Sequence, residues 1–140
     1  MALSNVKQLR DAQPESEKIT INLGYVDLGR IDLLVQEGFY SNRSDFIRTA
    51  IRKQLDAHGD AVNTSIQRHT LELGLRDYTR ADLEALRDAG EILHVRVLGL
   101  ARIASDVSPE LARAVIGSIT VLGGLQASAE VRKALIDRIR

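Results

Sequence analysis

Lys18, Thr20 and Asn22 stand two residues apart, an ammonium, a hydroxyl and a carboxamide in a row. Together they offer hydrogen-bond donors and acceptors suited to reading the edges of a polar ligand. Ile19, Ile21 and Leu23 fill the intervening positions. Side chains on a strand alternate between faces with period two, so the segment reads as a strand with one polar and one apolar face.

A lone short strand cannot satisfy its own backbone N–H and C=O groups, and no second strand pattern follows within hairpin distance. The partner must come from elsewhere, and a second copy of the chain is the simplest donor. Two such strands paired antiparallel about a two-fold axis form a ribbon with a single polar face, and a two-stranded ribbon fits the major groove of B-DNA.

The elements that must hold this strand follow directly. Leu28, Ile31, Leu34 and Val35 have the spacing of one helical face, and Gly38 stands where a helix would end. A second helix opens at Ser41 or Asn42, either of which can cap it, with Asp45 placed to complete a capping box. Its apolar face carries Phe46, Ile47, Ala50, Ile51 and Leu55, which are expected to be buried, and it stops near Gly59. Neither helix can form a core alone, but four from two chains can cover the apolar side of a ribbon.

The polar-alternating strand, the glycine turn and the run SNRSDFIRTAIRKQL resemble the ribbon-helix-helix family of bacterial DNA-binding proteins, the class of the Arc and MetJ repressors and CopG-like regulators. The resemblance covers roughly residues 16 to 57. Many members carry Pro directly after the strand, and Gly24 takes that place here. The resemblance implies an N-terminal unit dimerised through an intermolecular two-stranded antiparallel ribbon. Lys18, Thr20 and Asn22 would contact bases, Lys18 suited to guanine acceptors and Asn22 to adenine. The amides of Asn42, Arg43 and Ser44 would hold a phosphate at the positive end of the second helix, with Arg43 adding a charged contact.

The remainder divides by texture. Residues 1–17 are polar and lack a sustained period, and read as a flexible arm whose Lys7 and Arg10 can reach DNA or simply stay solvated. Residues 18–58 form the expected DNA-binding and dimerisation domain. Residues 59–69 read as a linker or as a helical extension of the second helix. In residues 70–140 a weak repeat appears: LELGLRDYT, RVLGLARIA and TVLGGLQAS place Gly74, Gly99 and Gly123 at a near-constant interval.

Each repeat is followed by a helix-like piece, TRADLEALRDAG, SPELARAVIGS and SAEVRKALIDRIR, with Thr79 and Asp82 as a capping box, Gly90 as a stop, and Ser108 ahead of Pro109. The pattern predicts a small, mostly parallel α/β domain of repeated strand-helix units centred on Ile92–Ile103, within an α+β chain. Such units need neighbours, so this half either serves oligomerisation or regulation, or simply stabilises one dimer.

Composition narrows the function classes. The 140 residues carry 19 Lys plus Arg and 19 Asp plus Glu, so no global basic charge advertises nonspecific nucleic-acid binding. The count of local phosphate contacts matters more than net charge. There are no cysteines, which removes disulfides and thiol chemistry. His58, His69 and His94 lack ligand spacing, so neither a metal nor a cofactor is expected. The glycines match no phosphate-cradling motif, and the acidic residues fall among arginines on helix faces, so no enzyme activity is expected. No apolar run has membrane-spanning length, and a cytoplasmic location follows as an expectation.

Two functional classes remain. The first is a sequence-specific transcriptional regulator, a repressor acting on double-stranded DNA as a homodimer or higher oligomer. The second is an antitoxin-like interaction module that grips a protein partner through its C-terminal half and represses its own operon.

Overall fold

A computed structural model describes residues 15–140. The chain is mixed α+β, with six helices and one three-stranded sheet among the described residues. It divides into two compact units, Lys18–Ser65 and Ile66–Arg140, the latter joined by residues 15–17. Lys7 and Arg10 of the expected arm lie outside the described residues.

The first unit begins with Lys18–Leu23, which belongs to no helix or sheet. Helix α1, Tyr25–Gln36, follows and buries Ile31, with Leu28, Leu34 and Val35 half-buried beside it. It ends in a Schellman motif: Gly38 donates to Val35 O at 3.1 Å and Phe39 to Leu34 O at 3.0 Å, with Gly38 at φ +86°. Helix α2, Arg43–Ala57, is capped by Asn42. Helix α3, Gly59–His69, is set off from α2 by a break at His58. The stretch expected as a linker or an extension of α2 is thus a separate helix, ending where Thr70 adopts φ +53°.

One expectation fails in the single chain. No residue of α2 is buried, and Ile51 and Leu55 remain 53% and 60% exposed. Two helices alone offer no second apolar surface to cover that face.

In the second unit, strands β1 (Glu72–Tyr78), β2 (Leu93–Ile103) and β3 (Ile116–Gln126) alternate with helices α4 (Arg80–Asp88), α5 (Pro109–Val115) and α6 (Ala129–Ala134). The order is β1-β2-β3, both pairings are parallel, and β2 is central. The local signals act as their residue types dictate. Thr79 and Asp82 form the capping box of α4, and Ser108 caps α5 ahead of Pro109. Gly90 at φ +70° ends α4 in a second Schellman motif.

The last repeat departs from its pattern. Helix α6 stops at Ala134, and the chain turns back so that Arg138 and Arg140 bond to both sides of Ile119 along the outer edge of β3, at 2.9 and 2.8 Å. Arg138 Nη1 also donates to the carbonyls of Arg113 and Ile116, at 2.6 and 2.7 Å, which ties the C-terminus to the end of α5.

Gly74, Gly99 and Gly123 lie side by side across the sheet, with φ of +120°, +140° and +119°. A Cβ at Gly99 would sit 2.1 Å from Gly74 O, and one at Gly123 would sit 2.1 Å from Gly99 O. The repeat in the sequence is therefore a crease in the backbone, running from strand to strand, that only glycine permits.

Strands stepping in one direction through right-handed crossovers place their helices on one face. Leu83, Leu111, Ala112, Val115, Val131 and Leu135 pack there against Val95, Val97, Ala101, Ile103, Ile116 and Ile119. The other face is uncovered by any described helix of this unit. Its rows run Arg96–Thr120, then Leu73–Leu98–Leu122, then Leu75–Leu100–Gly124, then Asp77–Arg102–Gln126. Leu73 is 71% exposed and Leu122 56%.

Candidate nucleic-acid interface

Lys18, Thr20 and Asn22 are all exposed, and no backbone hydrogen bond joins Lys18–Leu23 to another segment among the described residues. The apolar partners behave differently along the segment. Ile19 is 80% exposed, whereas Ile21 and Leu23 turn to an apolar groove of about 560 Å³. Ile31 and Leu34 of α1 and Phe46, Ile47, Ala50 and Ile51 of α2 form its walls. The residues with the chemistry to read an edge therefore sit on a segment whose opposite side already belongs to an incomplete core.

The start of α2 has the geometry of an anion site. Asn42 Oδ1 accepts from the amide of Asp45 at 2.8 Å. Asp45 in turn reaches past the cap, its carboxylate accepting from the amide of Ser41 at 3.0 Å and from its hydroxyl at 3.1 Å. Both candidate caps are therefore used, Asn42 as the cap and Ser41 as the group that Asp45 grips. These hydrogen bonds, the Ser41 amide foremost, hold the Asp45 carboxyl below the usual carboxylate range. Helix geometry leaves the amides of Arg43 and Ser44 without intrahelical partners at the positive end of the dipole.

Arg43 has a further role that residue spacing does not disclose. Its Nε and Nη2 donate to Asp32 Oδ1 and Oδ2, each at 2.8 Å, locking the first turn of α2 to α1. The Arg43 guanidinium pulls Asp32 below the usual carboxylate range, and Asp32 pushes Arg43 up. Tyr40 and Phe46 support the same corner, their rings edge to face with centroids 5.0 Å apart. Of the six residues expected at the interface, Asn42, Arg43 and Ser44 thus cluster at one helix start, while Lys18, Thr20 and Asn22 share the unpaired segment.

Elsewhere the titratable groups serve local structure. His94 Nδ1 lies 2.8 Å from Ser118 Oγ, and Arg102 pairs with Asp77 through two hydrogen bonds of 2.7 and 3.2 Å. No group of three or more His, Asp or Glu that could hold a metal converges among the described residues. No described helix is long and apolar enough to cross a membrane.

No curated protein and no solved structure matches the chain. The pattern that describes the Ribbon-Helix-Helix transcriptional regulator family, however, matches residues 14–132. The match runs well beyond the 16–57 stretch that carries the resemblance in the sequence, and takes in the creased sheet as well as the two N-terminal helices. With most of its length matched, the chain belongs to the ribbon-helix-helix family of transcriptional regulators.

Proposed function

We propose that the chain binds DNA in a sequence-specific manner as a homodimer, its ribbon formed by Lys18–Leu23 of two copies paired antiparallel in the major groove. The observation that carries this reading is the pairing of opposites in one segment. The backbone of Lys18–Leu23 lacks partners among the described residues, while Ile21 and Leu23 already line a groove of about 560 Å³. A second copy satisfies both needs at once, closing the backbone ladder and covering Ile51 and Leu55. It leaves Lys18, Thr20 and Asn22 from each chain on the outer face, where a ribbon meets base edges.

The amides of Arg43 and Ser44, with Asn42 before them, set the register by holding a phosphate. In this reading the protein is a binding protein rather than an enzyme, and a repressor that acts by occluding its site. The antitoxin-like alternative calls for a C-terminal half that wraps a partner. The close-packed sheet and helices of Ile66–Arg140 favour assembly of the regulator instead.

Selection of bound fragments from a random duplex pool tests the proposal. Enrichment of a two-fold symmetric site, lost when Thr20 and Asn22 are both replaced by Ala, is the expected result. Enrichment of nothing, or of a site indifferent to that double substitution, overturns it.

A further inference from the structure

The outer face of the C-terminal sheet presents five leucines, Leu73, Leu75, Leu98, Leu100 and Leu122, in two adjacent rows. Parallel sheets ordinarily have both faces covered, because their strands are apolar on both sides. Here β1-β2-β3 advances in one direction, and α4, α5 and α6 all pack on the other face. The row order is self-complementary. Turned over about a two-fold axis lying in the face and perpendicular to the strands, the Leu73–Leu98–Leu122 row falls on the Leu75–Leu100–Gly124 row of a second copy.

That superposition matches shape and charge together. Leu122, 56% exposed, falls opposite Gly124, which has no side chain. The polar rows then coincide as well, Arg96 falling opposite Arg102 of the second copy with Asp77 one strand to the side, so that the charges at that end balance only through the carboxylates beside Arg102. Arg102 has Glu15 3.9 Å away as well as Asp77, so that end of the face carries two carboxylates for one guanidinium. Arg96, exposed on the central strand, supplies the missing cation.

We infer that this leucine face packs on the same face of a second copy of the chain, giving a sandwich of two sheets with the helices outside. Three strands about 4.8 Å apart and about 23 Å long present on the order of 300 Å² per copy. A stable interface between free proteins buries roughly 800 Å² on each partner. The face is thus too small to join free chains but sufficient for chains already tethered, where effective concentration substitutes for area. The inference therefore rests on the N-terminal dimer proposed above.

The chain has no cysteine, so a single one can be placed at will. Packed sheets lie about 10 Å apart, beyond the span of a disulfide, and a short bis-maleimide bridges that distance. The full-length Leu98→Cys variant is treated with this reagent beside Arg87→Cys, which sits on the helix side, and both are sedimented. The expected result is a dimer in which Leu98→Cys links at least about tenfold faster than Arg87→Cys, as tethering implies. Adding Leu122→Lys should abolish the difference.

A dimer in which the two positions link at equal rates overturns the inference and leaves the ribbon reading intact. So does a dimer in which the thiol of the Leu98→Cys variant is shielded from a monofunctional maleimide without linking, since something else then covers the face. A monomer overturns both. A tetramer that Leu122→Lys reduces to a dimer supports the inference, two such faces then joining a pair of dimers, with the first contact tethering the second. Should Leu98→Cys fail to fold, Leu122→Cys at its more exposed position answers the same question.

Discussion

Arg43 and Asp32 face each other across the turn between α1 and α2, joined by two parallel hydrogen bonds of 2.8 Å. The Arg43 guanidinium at the start of α2 is therefore already engaged before it could meet the phosphate proposed for that helix start. Replacing Asp32 by Ala releases it. The expected outcome is tighter binding to all duplexes at low salt, with log K against log salt steeper by about 0.9, the value for one added phosphate contact. An unchanged slope would show that Arg43 already contacts the backbone while paired.

Base reading predicts a different signature. Asn22→Ala and Thr20→Ala should each cost about 1–3 kcal/mol at the selected site. They should leave the affinity for unrelated duplex unchanged. Fluorescence anisotropy on both duplexes separates the cases, and equal losses on the two would place these residues away from the bases.

The glycine crease makes a graded prediction. Gly99→Ala puts a Cβ 2.1 Å from Gly74 O, between two strands that cannot separate without losing their ladder. The expected loss exceeds about 3 kcal/mol, in the range of the severe backbone mechanisms. Gly74→Ala has nothing within 4 Å of its Cβ and bears only the strain of φ +120°, about 1–3 kcal/mol. Urea denaturation of the two variants should therefore rank Gly99→Ala well below Gly74→Ala, and equal midpoints would refute the steric account.

Thr70 offers the opposite case. It holds φ +53° at the end of α3, in the place that glycine takes in the Schellman motifs after α1 and α4. A β-branched residue is disfavoured there, so Thr70→Gly should stabilise the chain by about 1 kcal/mol. The thermal midpoint reads this directly, and a fall would mean that the threonine side chain makes a compensating contact.

Acid should weaken the fold in one direction only. Asp32, Asp45, Asp77, Asp82 and Asp137 are all held below the usual carboxylate range, chiefly by hydrogen bonds from Arg43, Ser41, Arg102, Thr79 and Arg113 respectively. A depressed carboxyl stabilises the fold above its unfolded value of about 4, and loses that contribution as pH falls through the folded value. Stability followed by urea titration should therefore decline below about pH 4 and stay flat between about pH 5 and 7. A decline setting in near pH 6 would point to histidine instead.

What could be read along the chain was what a few neighbouring residues decide among themselves. Thr79 with Asp82, Ser108 with Pro109, and Gly38 after an apolar helical face each satisfy groups within one turn, so their identities suffice. The even spacing of Gly74, Gly99 and Gly123 disclosed a repeat for the same reason, without disclosing that the carbonyls of Gly74 and Gly99 nest against the α-carbons of Gly99 and Gly123. Tertiary structure decided the matters that depend on register and on which surfaces meet. Asp32 lies eleven residues from Arg43, and the C-terminal arginines return to β3 rather than prolong α6. Such pairings depend on where two elements come to rest, and a helical or strand period carries no record of that distance. The same limit governs the apolar faces: periodicity shows that Ile51 and Leu98 each belong to one, but only the packed structure shows that no described helix of its own unit covers either.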